Sequence, residues 1–136
     1  MTYPAPPPPP WSGYAPTTPT TPTERTWAMG AHLGALVSAW FALGLIAPLA
    51  VLLFMGGESP FVRRHATESL NFQISLLIYS TVAVVLAIVT LGIGLLVIVP
   101  VAIVVGLLAL VAIIMAGLAA NRGDDFRYPL CLRIIG

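Results

Sequence analysis

The chain alternates between long apolar runs without formal charge and short polar punctuation. The apolar runs cover about 28–55, 70–91 and 95–120. A helix needs about 20 residues to cross the roughly 30 Å hydrocarbon core of a bilayer, and the second and third runs have that length. The first, read as one helix at ~1.5 Å per residue, would reach ~42 Å, which is more than one crossing and less than two. Gly44 and Pro48 interrupt it, and Trp40-Phe41 place an aromatic pair at mid-segment. It is therefore either one kinked span or two short helices in a broken hairpin. The pattern predicts an all-α integral membrane protein. Three apolar segments, the first of them split, give a bundle of about four helices.

The punctuation predicts where these helices start and stop. Gly56-Gly57 ends the first segment. Ser59-Pro60 offers an N-cap serine and a proline at the first helical position. The helix it opens passes through Arg63, Arg64, His65 and Glu68 before turning apolar near Leu70. Leu91-Gly-Ile-Gly94 is the turn into the last segment, where Pro100 sits early enough for a kink to be tolerated. Asn121-Arg122-Gly123 is the stop, with Arg on the negative end of the helix dipole. The mixed segment Asp124 to Gly136 is expected to lie on the membrane interface.

Residues 1–23 form a separate zone with nine prolines, Pro6 to Pro10 in a row. Proline has a fixed φ and no N–H, so a disordered, polyproline-like tail is expected ahead of a membrane domain over 24–136. The tail reads as a solvated spacer. Pro6 to Pro10 with Trp11 and Tyr14 as the ligand of an aromatic groove is the alternative. No cleavable signal is expected, because the first apolar run starts only near Ala28 and no basic region precedes it.

Composition agrees with the pattern. Of 136 residues, 58% are hydrophobic and 8% charged, with a mean hydropathy of +0.96. Soluble domains carry about 25% charged residues. A net charge of +1 gives no case for nucleic-acid binding. All basic residues are Arg, a bias found in GC-rich bacterial genomes. The single Cys131 forms no internal disulfide.

Charge sets an orientation. Arg63 and Arg64 precede the second span, and Arg122, Arg127 and Arg133 follow the third. Two crossings separate these clusters, so they share a side. The positive-inside rule makes that side, with loop 56–66 and the C-terminus, cytoplasmic in a bacterial inner membrane. A broken hairpin would also bring Arg25 to this side, whereas one kinked span would leave it outside. The hairpin is the arrangement that leaves no arginine outside.

Candidate chemistry concentrates between Glu58 and Ser75. On a helix, Phe61, His65, Glu68, Phe72 and Ser75 share a face, with Asn71 beside it. His65 and Glu68 are close enough for a proton relay or a metal site. Yet His32, Glu58, Asp124, Asp125 and Cys131 supply no close-spaced ligand motif to complete such a site. The plainer reading is an interfacial cluster in which Arg64 pairs with Glu68 and His65 acts as an amphipathic anchor. His32 lies inside the first segment, where a lone histidine needs a partner. Its expected partners are Glu68, Asn71, Gln73 or Ser75 on a neighbouring helix. Ser75, Tyr79, Ser80 and Thr81 read as helix-packing glue, and Gly30 and Gly34 as a site of close helix approach. No hydrolase, Ser–Lys or paired-aspartate constellation is present, and no phosphate-binding glycine loop. No catalytic residue, metal or cofactor is therefore expected.

Several motifs also carry a resemblance. They are Glu24-Arg25-Thr26-Trp27-Ala28, Ala31-His32-Leu33, Glu58-Ser59-Pro60-Phe61-Val62, His65 with Glu68 through Asn71-Phe72-Gln73-Ile74, Phe126-Arg127-Tyr128-Pro129-Leu130 and Arg133-Ile134-Ile135. Together they resemble a family of small bacterial membrane proteins of unassigned function, related to the chloroplast import component Tic-twenty. The resemblance implies about four membrane helices, with the first segment often split. Family members often break that segment with a polar Pro-Phe-Gly-Asn-type sequence, whereas Phe41 to Pro48 here is apolar.

The expected function is that of a non-enzymatic multi-pass membrane protein, a subunit or partner in a membrane assembly, related to protein translocation by family analogy. Its partners would be the lipid bilayer and other membrane proteins or a second copy. The alternative is a small-solute transporter or conducting component lined by His32, Glu68, Asn71, Gln73 and Ser75. The absence of an acidic residue deep in any span argues against ion coupling.

Overall fold

The computed structural model describes residues 19–42 and 44–136, with the backbone alone for Trp40, Phe41 and Ala42. The Pro-rich stretch as far as Thr18 and the side chains of the Trp40-Phe41 pair lie outside the described residues. Among the described residues there are four helices and no strand: α1 (Pro22–Ala42), α2 (Ile46–Met55), α3 (Pro60–Val89) and α4 (Leu95–Arg122).

α1 starts on a capping box. The Thr21 N–H donates to the Glu24 carboxylate at 2.7 Å, and the Glu24 N–H donates to the Thr21 hydroxyl at 3.2 Å. The first apolar segment is split, and the split falls at Gly44. There φ is +81°, and a Cβ would lie 2.6 Å from Oε1 of Gln73. Only glycine accepts both conditions at low cost. Pro48 sits in the first turn of α2, where its missing N–H breaks no helical bond.

α2 then runs back along α1. Gly34 meets Ala47, and Ala31 packs with Val51 one turn further on. With 10 residues, α2 is about 15 Å long, too short to span a bilayer. The returning loop brings Ser59 to the start of α1, where its hydroxyl donates to Glu24 at 2.5 Å. The segment is thus a broken hairpin, with both ends on the same side of the molecule.

α3 opens as the sequence indicates: Ser59 caps it by accepting the Val62 N–H, with Pro60 first in the helix. The 90–94 turn reverses the chain through Leu91 and Gly92, both at positive φ. α4 ends on Gly123 in left-handed geometry, whose N–H bonds back to the last turn. α1 packs against all three other helices, and α3 meets α4 far less than either meets α1. Of the Gly30–Gly34 pair only Gly34 makes a close approach; a Cβ on Gly30 would meet open space. α4 approaches α1 closely at Gly117, where a Cβ would lie 2.8 Å from the Leu33 side chain.

The core is confined to one end. Small residues (Ala28, Ala31, Ala35, Ala66, Ala116, Ala119, Ala120) let the helices approach closely there. Beyond it, α3 and α4 project with apolar side chains outward. Their most apolar windows have mean hydropathies of 2.3 and 3.2, yet only 17% and 6% of those windows is buried. The core helix of a soluble protein would be mostly buried. Both helices are long and apolar enough to cross a membrane.

Candidate functional site

The charged end holds two polar arrangements built on α3. The first is a buried chain of rings. His32 of α1 and His65 of α3 are 0% and 2% exposed. His32 Nδ1 lies 2.9 Å from the Tyr128 hydroxyl, and His32 Nε2 lies 2.8 Å from His65 Nδ1. Phe61 packs on His65, and Phe72 stacks on Tyr128 with ring centroids 3.9 Å apart. The partners of His32 are therefore His65 and Tyr128, not the expected Glu68, Asn71, Gln73 or Ser75. His65 is a core residue rather than an interfacial anchor. The helix phase explains this: His65, Ser69 and Phe72 turn toward α1, where Ser69 donates to the Ala31 carbonyl at 2.7 Å.

Proton positions along this chain follow from its ends. Burial, with Glu68 close by, pushes the Tyr128 phenol well above its ordinary range, so the group stays an O–H donor. If Tyr128 donates to His32 Nδ1, then His32 Nε2–H donates to His65 Nδ1, and His65 Nε2 carries the remaining proton. That atom has no hydrogen-bond partner among the described residues, and Asp125 lies 3.9 Å away. The reverse order would aim a lone pair at the Asp125 carboxylate, so the donor order is electrostatically favoured.

The second arrangement is a ladder. Glu68, Asn71, Ser75 and Tyr79 recur at three, four and four residues, forming one stripe of α3. The segment after α4, residues 124–136, lies along that stripe. Glu68 Oε1 accepts the Tyr128 N–H at 2.8 Å and the Arg133 guanidinium at 3.0 Å. Asn71 Oδ1 accepts the Ile134 and Ile135 N–H groups at 3.0 and 2.8 Å, and its amide donates to the Ile135 carbonyl at 2.9 Å. Ser75 accepts the Leu132 N–H at 2.8 Å, and Tyr79 donates to the Leu130 carbonyl at 2.7 Å. A helix face thus satisfies the backbone groups of a non-helical segment. Ser75 and Tyr79 hold this arm rather than glue two helices.

Leu130, Leu132 and Ile134 of the arm are exposed, Leu130 in a turn at positive φ. Gln73 belongs to neither arrangement; it packs against Gly44 at the α1–α2 break. Where the sequence indicated an Arg64–Glu68 pair, each residue takes a partner from the arm. Arg64 meets Asp125 at 3.1 Å, and Glu68 meets Arg133. Arg122 pairs with Asp124 at 3.0 Å. Arg25 lies against Gly123, so all six arginines share the charged end. Among the described residues no three His, Cys, Asp or Glu side chains are grouped to hold a metal ion.

Tyr128 is the residue that sequence reasoning passed over. It was visible only inside the Phe126 to Leu130 motif, with no spacing to join it to His32, 96 positions away. Thr21-Pro22-Thr23-Glu24 was more legible, since Thr-x-x-Glu with proline first in the helix is a capping signature.

The fold is a small all-helical one among the described residues, with two helices long and apolar enough to cross a membrane, most of its buried polar groups paired internally and its apolar surface turned outward. The magnetosome magnetite crystal formation protein family matches residues 23–135, and the chain belongs to that family. It is thus a member of a family of small bacterial membrane proteins, as the motifs implied, but nothing ties it to the Tic-twenty component. No curated protein and no solved structure matches the chain.

Proposed function

We propose that the chain acts as a non-enzymatic subunit of the magnetosome membrane, contributing to magnetite crystal formation through contacts with the bilayer and with other membrane proteins. The observation that carries this reading is the occupation of the polar residues. Glu68, Asn71 and Ser75 are engaged by the arm, and His32 by His65 and Tyr128. Polar groups satisfied inside the bundle neither line a conduit nor stand ready as a catalytic set. The conducting alternative has less support for the same reason. What remains for interaction is the apolar surface of α3 and α4 and the arginine-rich end. The positive-inside rule puts that end, with loop 56–66 and the C-terminus, on the cytoplasmic side.

The test is a deletion in a magnetosome-forming bacterium, complemented by the full chain carrying an affinity tag. Crystals of altered size or number on deletion, and co-purification of other magnetosome membrane proteins in mild detergent, are the expected results. Unchanged crystals together with a lone purified chain would refute the reading.

A further inference from the structure

One cleft at the charged end opens beside both the ring chain and the ladder, bounded by His65 of the first and Glu68 and Asn71 of the second. It has a volume of about 630 Å³ and lies between the start of α3 and the arm. Arg63, Arg64, Arg127 and Arg133 line it, with Glu68 and Asp125. Arg133 is matched to Glu68, and Arg64 to Asp125. Arg63 and Arg127 have no ion-pair partner among the described residues. Four arginines against two acids leave the lining side chains with a charge of +2.

A second, independent observation points to a ligand. His65 also lines the cleft, and its Nε2 is buried without a hydrogen-bond partner among the described residues. The donor order of the ring chain makes it an N–H facing Asp125 at 3.9 Å, beyond hydrogen-bond distance, so an acceptor entering the cleft could complete it.

We propose that this cleft binds a phosphate monoester group, held between the Arg63 and Arg127 guanidinium groups with His65 Nε2–H as a third donor. A monoester carries about −1.5 to −2 charges at neutral pH, which matches the two unpaired arginines. Guanidinium forks suit its oxygens better than point charges would. The group could arrive free or as a lipid headgroup, since the exposed Leu130, Leu132 and Ile134 beside the cleft offer an apolar surface to acyl chains. The inference does not rest on the magnetosome role.

The full chain, purified in dodecyl maltoside, is titrated by calorimetry with inorganic phosphate, dioctanoyl phosphatidic acid and dioctanoyl phosphatidylcholine. Saturable one-to-one binding of phosphatidic acid or phosphate is expected. Affinity should fall at least about tenfold in R63Q/R127Q, as loss of charge-assisted hydrogen bonds implies. R122Q, which lies outside the cleft, should bind like the parent. Both arginines of the double variant are exposed, so folding is retained and a thermal melt checks it. The His65 Nε2 resonance of ¹⁵N-histidine-labelled protein should shift at saturation. Binding of phosphatidic acid alone assigns the source to lipid, and equal binding of phosphate assigns it to the free ion; either upholds the site. The proposal is overturned if neither probe binds, if R63Q/R127Q binds like the parent, or if the His65 resonance does not move.

Discussion

From Pro60 to Ser75, α3 buries His65, Ser69, Asn71, Gln73 and Ser75. From Ile78 to Val89 the same helix exposes Ile78, Val82, Val84, Val85, Leu86, Ile88 and Val89. In water this ordering is backwards, since apolar side chains belong inside and unpaired polar ones outside. A bilayer removes the contradiction. Apolar residues facing lipid give nothing up by exposure, so burial no longer sorts them. The polar half specifies which surfaces meet, because each hydrogen bond has one partner in one geometry. The apolar half supplies insertion and leaves its neighbours unspecified.

The largest break in this contrast comes from the centre of the polar half. His32→Leu removes the partner of the Tyr128 hydroxyl and of His65 Nδ1 together. At about 1–3 kcal/mol for each buried orphan, the loss should be about 2–6 kcal/mol, read from denaturant unfolding in mixed micelles. A loss below about 1 kcal/mol would mean that packing, and not the ring chain, specifies this end.

The apolar half is tested by Leu107→Arg, at a position 60% exposed in the middle of α4. An exposed arginine on a soluble protein costs almost nothing. At the centre of a bilayer span it should cost about 2.5–3.5 kcal/mol of insertion. The membrane fraction that survives an alkaline wash should fall markedly, and an unchanged fraction would take this surface out of the bilayer.

Next in size is the ladder. Asn71→Leu deletes three bonds to the backbone of Ile134 and Ile135. A cost of about 1–3 kcal/mol is expected, concentrated in release of the arm. Trypsin cleavage after Arg127 and Arg133 should accelerate about tenfold while the helices stay intact. Equal cleavage rates in variant and parent would show that other contacts hold the arm.

The same contrast explains what could be read in advance. The Ser59-Pro60 start, the 90–94 turn and the Gly123 stop are local chemistry, settled by neighbours in sequence. The split of the first segment was legible as a choice between Gly44 and Pro48. Left-handed geometry then fell to the glycine, because a first-turn proline breaks nothing. The partners of Asn71 and one of those of Glu68 could not be read, because they are main-chain atoms of the arm and a backbone carries no sequence signature; the other partner of Glu68, Arg133, lies 65 positions away. His32–Tyr128 was hidden by separation: the pair meets only because α1 packs against α4 while the arm folds back over α3. Gly117 showed no motif spacing, yet it is where α4 meets Leu33.

The smallest effect lies where the polar end meets water. Hydrogen bonds from the Ser59 hydroxyl first, and then from Thr21, hold the Glu24 carboxyl below its ordinary value of 4.5. A group with a depressed folded value contributes its stabilisation above the unfolded value and loses it as pH falls through the folded one. The link between α1 and the cap of α3 should therefore be complete at neutral pH and weaken below about pH 4.5. Glu24→Gln keeps the side-chain length but removes the charge that these donors favour. It should cost about 0.5–1 kcal/mol at pH 7 and flatten the acid limb of the unfolding midpoint against pH. An acid limb as steep in the variant as in the parent would show that the Glu24 carboxylate, and with it the link between the start of α1 and the cap of α3, does not carry the slope.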